Sequence, residues 1–404
     1  KTGLEKNYSV VIYKNQEEIA KAQNNLGNAG MSPSISLSGN YNFSNLNSHQ
    51  EFSNNTEQDR AGAISKNLGA SVNLSWNIFD GMKMFAIKKR LDANQQMSAM
   101  LLKQQMETTV YNIISAYFNI VRTNELIKAA RQNLVLSQER KKIAQLKMDI
   151  ASDSKVDFLL SQTNENVALS DLMQLDIQLL NSKTALNVLL NNSTDTDFNV
   201  ADTILVNYDP VLDDLKKTSG TSNASLLISR KNESILEQGI KEARSANLPV
   251  VQLNSSYSVI NSKSQAGFLA LNRQSGLNAG ISANWFIFNG NRNNKLVKER
   301  SILALNQKLL SEQTLQQVNA TVFLNYQVFQ LNKKMASLEY QNVTDSKELL
   351  SISMERYRLG KTNLLETIEA QKNMQNAVSR YVNALYAMKM AETELLRAEG
   401  KLVK

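Results

Sequence analysis

The chain has 404 residues with only 3 Pro and 15 Gly, so few residues interrupt regular secondary structure. It has no Cys, which excludes a disulfide framework and a Cys-ligated metal, and its single His leaves little room for His-based catalysis. The net charge is +8, but basic and acidic residues are mixed along the helical stretches. We therefore interpret them as solvated helix surfaces and expect no nucleic-acid binding. No run of about 18 apolar residues occurs, so the sequence predicts no membrane-spanning helix.

The first 80 residues predict a helix followed by a β-hairpin. Apolar residues three or four apart predict a helix over residues 4–30. The period then changes to two, which predicts strands over residues 35–43 and 68–78. Asn, Ser and charged residues fill positions 45–66 between them, which we interpret as a long polar loop.

Residues 251–257 and 277–285 show the same alternation, which gives four amphipathic strands of about ten residues. Their polar faces carry Ser and Asn rather than charge, as a water-filled lumen would allow. Aromatic residues at the strand ends suit a membrane interface, and they are Trp76, Phe79, Trp285, Phe286 and Phe288. Two soluble hairpins, each with one buried face, explain the same alternation, so the strands alone leave both interpretations open.

Each hairpin is followed by a long helical pattern without proline, over residues 82–149 and 291–358. Apolar residues spaced four and then three apart predict a coiled-coil-like seam. The inward candidates are Ile113, Tyr117, Ile120, Val322, Tyr326 and Phe329. After short breaks at 149–154 and 358–363, returning helices are expected over 155–190 and 364–399. The acidic segment 191–222 is interpreted as a solvated connector with one short strand at 203–206.

A tandem repeat organises these elements. The motif WNIFDG at residues 76–81 recurs as WFIFNG at 285–290, an offset of 209 that still relates Asp157 to Glu366. Upstream, Tyr41 pairs with Tyr257 at an offset of 216, so the first copy is seven residues longer between Tyr41 and Trp76. We divide the chain into a first repeat (1–190, hairpin 33–80), a linker or equatorial segment (191–222) and a second repeat (223–404, hairpin 249–289).

Four strands cannot close a barrel, for which about eight is the practical minimum. Open strand edges in lipid are very costly, so membrane-embedded strands of this chain would have to close by oligomerisation. Two chains would supply eight strands and three would supply twelve, and geometry alone leaves both open.

Nearly the whole chain resembles the TolC-type outer-membrane efflux proteins. The most specific residues are the two strand-end motifs and the segment RYRLGKTNLLETIEAQ at 356–371. The resemblance implies an α+β membrane protein with long antiparallel coiled-coil-like helices and four transmembrane strands per chain. It implies a homotrimer that closes as a twelve-stranded β-barrel in outer-membrane lipid, on an α-helical barrel that extends into the periplasm. The function it implies is that of an exit duct in a tripartite efflux or type I secretion system, joined through a periplasmic adaptor protein to an inner-membrane pump.

The resemblance also assigns roles near the break before each returning helix. Glu366 and Glu369 match acids that ring the channel constriction, and their spacing of three puts them on one helix face. Asp157 and Tyr357 match positions that hold the resting channel closed, and Thr362 stands where a relative carries Arg, so part of that network is expected to be missing. The adaptor-docking tip would consist of Ile150, Ala151, Ser152, Leu359, Gly360, Lys361 and Thr362.

The residues also leave less specific interpretations open. Glu366 and Glu369 could be ordinary exposed helix acids, and the whole chain could be a soluble or surface coiled-coil scaffold. Charged residues on both strand faces would have favoured the scaffold, and they are not the pattern here. The sequence contains no phosphate loop, zinc-ligand spacing or nucleophile elbow, so we expect no catalytic residues, no metal and no cofactor.

Overall fold

The computed structural model describes residues 2–150, 155–201, 203–267 and 269–403. Eight helices and four strands are formed by these residues. The helices are α1 (Thr2–Lys6), α2 (Tyr8–Gln23), α3 (Lys83–Asp149), α4 (Lys155–Leu190), α5 (Leu212–Ser222), α6 (Ala224–Ser245), α7 (Arg292–Arg358) and α8 (Leu364–Ala398). The strands are β1 (Ser34–Glu51), β2 (Glu57–Phe79), β3 (Val250–Ser264) and β4 (Leu271–Asn284). Residue contacts divide the chain into two units, 1–17 with 98–229 and 311–404, and 18–97 with 230–310.

The second of these units contains one antiparallel sheet with the order β1-β2-β3-β4, in which the two predicted hairpins pair through β2 and β3. One row across the sheet runs Leu37, Val72, Tyr257 and Leu277, and the adjacent row runs Ser36, Asn73, Ser256 and Asn278. Successive side chains point to opposite faces of a strand, so one face is apolar and the other polar. The predicted alternation is confirmed in all four strands.

The predicted polar loop at 45–66 is wrong, because most of it is strand. Asn45 pairs with Ile64 and Glu51 with Glu57, so the turn is confined to residues 52–56. The first hairpin is thus longer in its strands and not in its loop. A polar sequence can form strands with both faces in water, since the ladder satisfies the backbone groups. Composition had indicated a loop because it reports solvent exposure and not pairing.

The predicted N-terminal helix over 4–30 is interrupted at Asn7 and ends at Gln23. The Asn7 side chain accepts hydrogen bonds from the backbone N–H of Ser9 (3.0 Å) and Val10 (3.4 Å), so it caps α2. The second copy repeats this arrangement at Asn223, which caps α6 through the N–H of Leu226 at 3.2 Å.

The two copies share further hydrogen bonds. The amide of Asn7 donates to Leu189 O at 3.0 Å, and that of Asn223 donates to Ala398 O at 3.1 Å. The indole of Trp76 donates to Met31 O at 2.9 Å, and that of Trp285 donates to Asn247 O at 3.0 Å. In each pair of bonds, the donors and the acceptors of the two copies are related by the repeat offsets of 216 or 209 residues. The repeat therefore extends to individual hydrogen bonds.

The connector differs from its prediction in two ways. Its last eleven residues form α5, and residues 203–206 form no strand among the residues that the structure describes. Ile204 and Val206 do alternate inward with exposed neighbours, and Val206 packs against a helical core. The period-two pattern therefore reflects alternating burial, without a strand partner among the described residues.

That core lies in the first unit and joins α5, α7 and α8. Its buried members are Leu215, Val318, Val322, Phe329, Met388, Ala391, Leu395 and Ala398. Val322 and Phe329 were predicted inward candidates, and Ile120 of the first copy is also fully buried. The four-then-three spacing thus predicted these helix faces correctly. No helix in the described part of the chain is both long and apolar enough to cross a membrane.

Candidate functional site

The turn between α7 and α8 is a glycine-capped helix end. Gly360 has φ +70° and its N–H donates to Tyr357 O at 3.0 Å, while the N–H of Lys361 donates to Arg356 O at 2.8 Å. These two bonds form a Schellman motif, which requires the left-handed conformation that glycine adopts most easily. Leu359, just before it, is 60% exposed. The turn thus presents an apolar side chain to solvent on a hydrogen-bonded backbone.

In the first copy the repeat equivalent of Leu359 is Ile150, directly after the end of α3. Ile150 is 75% exposed, so both copies expose an apolar residue at this point. Ala151 and Ser152, which the sequence assigned to the docking tip, lie outside the described residues.

The start of α8 holds Glu366 by three interactions. The Asn363 side chain accepts a hydrogen bond from the Glu366 N–H at 3.0 Å and caps the helix. Arg356 forms an ion pair with the Glu366 carboxylate at 3.0 Å, and the Thr362 hydroxyl donates to the same carboxylate. Glu366 is therefore the structural partner of residues on both sides of the turn, a role that the sequence did not indicate.

Glu369 is exposed one helical turn further along α8 and forms no ion pair with any residue that the structure describes. The two acids predicted to act together thus differ in surroundings. The carboxylate of Glu369 is the one available to a cation in solution.

Tyr357 and Asp157 are the two residues that the resemblance assigned to closure of the tip. Tyr357 is 1% exposed, and the ammonium of Lys147 lies 4.0 Å from the centre of its ring. This cation–π contact links the ends of α7 and α3. Asp157 lies half-buried in the first turn of α4.

A buried polar cluster lies further along the same helices, and the sequence reasoning missed it. The Gln371 amide donates to Asn133 O at 3.0 Å and to Ser137 Oγ at 3.1 Å, which links α8 to α3. Arg140 follows one turn after Ser137 and is 3% exposed. Burial lowers the pKa of Arg140 to about 10, although Tyr357 opposes this shift. Since that pKa remains well above 7, the guanidinium is charged at neutral pH.

A difference between the two copies could have drawn attention to this cluster. The repeat equivalent of Arg140 is Leu349, so a charge replaces an apolar residue at one register position. The sequence pattern alone offered no means to tell that the charge is buried.

The described residues do not bring three or more His, Asp or Glu side chains together in a way that could hold a metal ion. The chemistry of this region consists of helix caps, ion pairs and exposed apolar residues.

Comparison with known proteins assigns the chain to a protein family. The outer membrane efflux protein family matches the chain over residues 4–192 and 220–401. The chain belongs to this family. It is accordingly a protein of the bacterial outer membrane that extends into the periplasm, and the resemblance seen in its sequence is confirmed.

Several individual outer-membrane proteins are similar to this chain. The outer membrane protein TolC of Escherichia coli (strain K12) is 22% identical over 394 residues, which cover 92% of this chain and 75% of TolC. The outer membrane protein VceC of Vibrio cholerae has a TM-score of 0.85 at 14% identity, over 99% of this chain and 94% of VceC. The Campylobacter jejuni CmeC outer membrane channel has a TM-score of 0.84 at 16% identity, over 99% of this chain and 84% of CmeC. The chain thus has the fold of these proteins, with long helices and a four-stranded sheet.

Proposed function

We propose that three copies of this efflux protein close their sheets into one twelve-stranded barrel and act as the exit duct of a tripartite efflux or type I secretion system. In such a system the duct is passive and joins a periplasmic adaptor and an inner-membrane pump. The observation that carries the proposal is the four-stranded sheet with one apolar face and two open edges.

The apolar face has no partner layer among the described residues. Leu37 is 79% exposed and Leu277 73% exposed, at opposite ends of the row that crosses the sheet. A face of this kind needs lipid or another protein surface to remove it from water. The opposite face carries polar residues that bond to one another, such as Ser38 and Ser71 at 2.7 Å. Lipid outside and water inside satisfy both faces.

The open edges argue for closure by other copies. β1 and β4 each pair with one neighbour only within the described chain. An unpaired edge leaves N–H and C=O groups without partners, and each costs several kcal/mol in hydrocarbon. Pairing β1 of one copy with β4 of the next removes every such edge. Twelve strands leave room for an aqueous lumen, whereas eight are filled by side chains.

The tip residues are proposed to gate this duct. Three copies would place Glu366 and Glu369 around one axis as a ring that favours cations. Glu369, being exposed, would act on the lumen directly, whereas Glu366 would act mainly through its ion pair with Arg356. Leu359 and Ile150 are both exposed and, together with Gly360, Lys361 and Thr362, would dock the adaptor.

Tyr357 and Asp157 are proposed to help latch the resting tip. The buried position of Tyr357 under Lys147 supports a structural role for its ring. Tyr357→Phe keeps the ring and removes the hydroxyl, so increased leak through the channel would support the latch and unchanged leak would count against it.

Cysteine cross-linking tests the proposed closure, because the chain has no native Cys. Strands of a closed barrel are staggered by a fixed shear, so Ser36→Cys on β1 is combined in turn with a cysteine at each polar-face position of β4 from Asn272 to Ser282. At the position that faces Ser36 of the next copy, a bismaleimide with a reach of about 10 Å should link chains into products of up to three and no more. The matched control is Asn73→Cys with Ser256→Cys, which are direct partners on β2 and β3 and should link within one chain. Products confined to single chains at the edge positions would contradict the proposal.

A further inference from the structure

Arg140 is a buried cation without a carboxylate partner among the described residues. Its Nη2 donates to Ser137 Oγ at 3.2 Å, while its Nη1 is buried and has no hydrogen-bond partner there. An unpaired buried charge is costly, and proteins usually neutralise it with a counter-charge. The counter-charge of Arg140 is therefore to be sought outside the described chain.

Two further buried donors lie on the facing helix. Ser161 is 1% exposed and its hydroxyl has no partner among the described residues, and the amide nitrogen of Asn164 is likewise buried without one. These residues are three apart on α4 and so lie on one helix face. Arg140 and Asn164 both line a cavity of about 630 Å³ between α3, α4 and α8. The cavity therefore leaves space for a ligand beside the unpartnered donors of Arg140 and Asn164.

The acids near this cavity do not neutralise Arg140. Asp171 lines the cavity but forms no ion pair with Arg140 in the described structure. Glu165, next to Asn164, pairs instead with Lys141 at 2.8 Å. Lys372 lines the same cavity and adds a second positive charge. The cavity wall is thus short of negative charge where Arg140 lies.

The repeat separates Arg140 from the other donor that lines this cavity. Leu349 stands at the position of Arg140 in the second copy and is 48% exposed, whereas Asn373 keeps the Asn at the position of Asn164. The buried guanidinium is thus specific to the first copy.

We propose that Arg140 and Asn164 bind a small inorganic oxyanion of the phosphate class at the wall of this cavity. A guanidinium and an amide N–H both donate to such an ion, and the bond to the charged donor is the strongest. The carbonyl oxygen of Gln371, which lines the cavity and has no partner among the described residues, can accept from the O–H of a hydrogen phosphate. No part of this site relies on the proposed duct function.

Equilibrium dialysis of the purified protein in detergent, with radiolabelled inorganic phosphate as the probe, tests the site. The wild-type chain should bind one phosphate per chain. Arg140→Leu, which introduces the residue of the second copy, should weaken binding by about tenfold or more. The matched control is Lys372→Met, which removes the other cation of the same cavity and should retain the site.

A second variant and a mass measurement keep the test decisive. Asn164→Leu removes the second donor of the cavity and should weaken phosphate binding by several-fold. Absence of binding to the wild type, or equal binding to Arg140→Leu, would overturn the proposal. Loss of the oligomer in Arg140→Leu, with no phosphate bound by the wild type, would also overturn it and assign the counter-charge to a neighbouring copy.

Discussion

At single residues, burial shifts the pKa of a carboxyl group, and backbone conformation decides whether a glycine can be replaced without loss of stability. Glu107 is 2% exposed, and burial raises the pKa of its carboxyl, although Lys103 and Arg397 lower it. Gly360 and Gly239 both have open space where the Cβ of a larger residue would lie, yet only Gly360 has a positive φ. The sequence showed neither the burial of Glu107 nor the positive φ of Gly360, because acids are common on helix surfaces and glycines are common near helix ends.

Glu107→Gln is expected to stabilise the protein at neutral pH. The carboxyl has a higher pKa in the folded state than in the unfolded state, so the folded state binds more protons and stability falls as pH rises through that raised pKa. Glutamine removes this titration, so the gain in melting temperature should be present above the folded-state pKa and vanish at pH values below about 4.3, the ordinary Glu pKa. Glu125→Gln, on an exposed pair with Lys128, is the control and should show no such pH-dependent gain. A melting temperature that falls in Glu107→Gln at pH 7 would contradict this account.

Alanine at the two glycines should have opposite effects. Gly360→Ala forces φ +70° on a residue with a Cβ and should cost about 1–2 kcal/mol. Gly239→Ala lies inside α6 without a positive φ and should stabilise by about 0.5–1 kcal/mol. Denaturant unfolding in detergent measures both changes, and a Gly360→Ala variant as stable as the wild type would show that the turn does not need glycine.

The elements of this chain were largely predictable, and the exceptions have physical causes. The bounds of α3 and α7 follow from proline-free stretches with a four-then-three apolar spacing, because such faces pack together. The break at Asn7 and the helix α5 were missed, since both depend on capping and on contacts with distant residues. The extension of β1 and β2 was missed because strand pairing in water leaves no hydrophobic signal.

The repeat predicted where α3 and α7 end, and the resemblance named the tip residues, whose roles are proposals. That Glu366 is held by Arg356 depends on side chains ten positions apart that meet only across the turn. The cluster around Arg140 joins α3, α4 and α8, so no local pattern could have indicated it.

Hydrogen exchange tests the corrected hairpin. Amides of residues 57–64 pair with β1 on one side and should exchange slowly compared with those of the true turn at 52–56. The loop between β3 and β4 is a control within the same sheet and should exchange fast. Mass spectrometry of peptides from residues 45–66 measures this, and uniformly fast exchange would restore the loop interpretation.

At the scale of the whole molecule, closure by other copies is proposed from a sheet that has one apolar face and two edges unpaired among the described residues. The family places the protein in the outer membrane, where lipid can cover the apolar face of the sheet. The proposed trimer would pair the edge strands β1 and β4 of neighbouring copies. The tandem repeat fits this arrangement, because two hairpins per chain halve the number of chains that a twelve-stranded barrel needs.

The two tip acids should differ in how they affect cations in the assembled channel. Glu369→Gln removes an exposed carboxylate and should weaken block by a multivalent cation in planar bilayers by about tenfold or more. Glu366→Gln breaks the ion pair with Arg356 and should instead increase the resting conductance. Equal effects of both variants on block would contradict the distinct roles.

The central claim is that three copies close one barrel, and the mass of the purified protein tests it most directly. Light scattering in detergent, corrected for bound detergent, should give three times the 45.2 kDa of one chain. A mass of one chain, or of two, would contradict the twelve-stranded closure and the duct that depends on it.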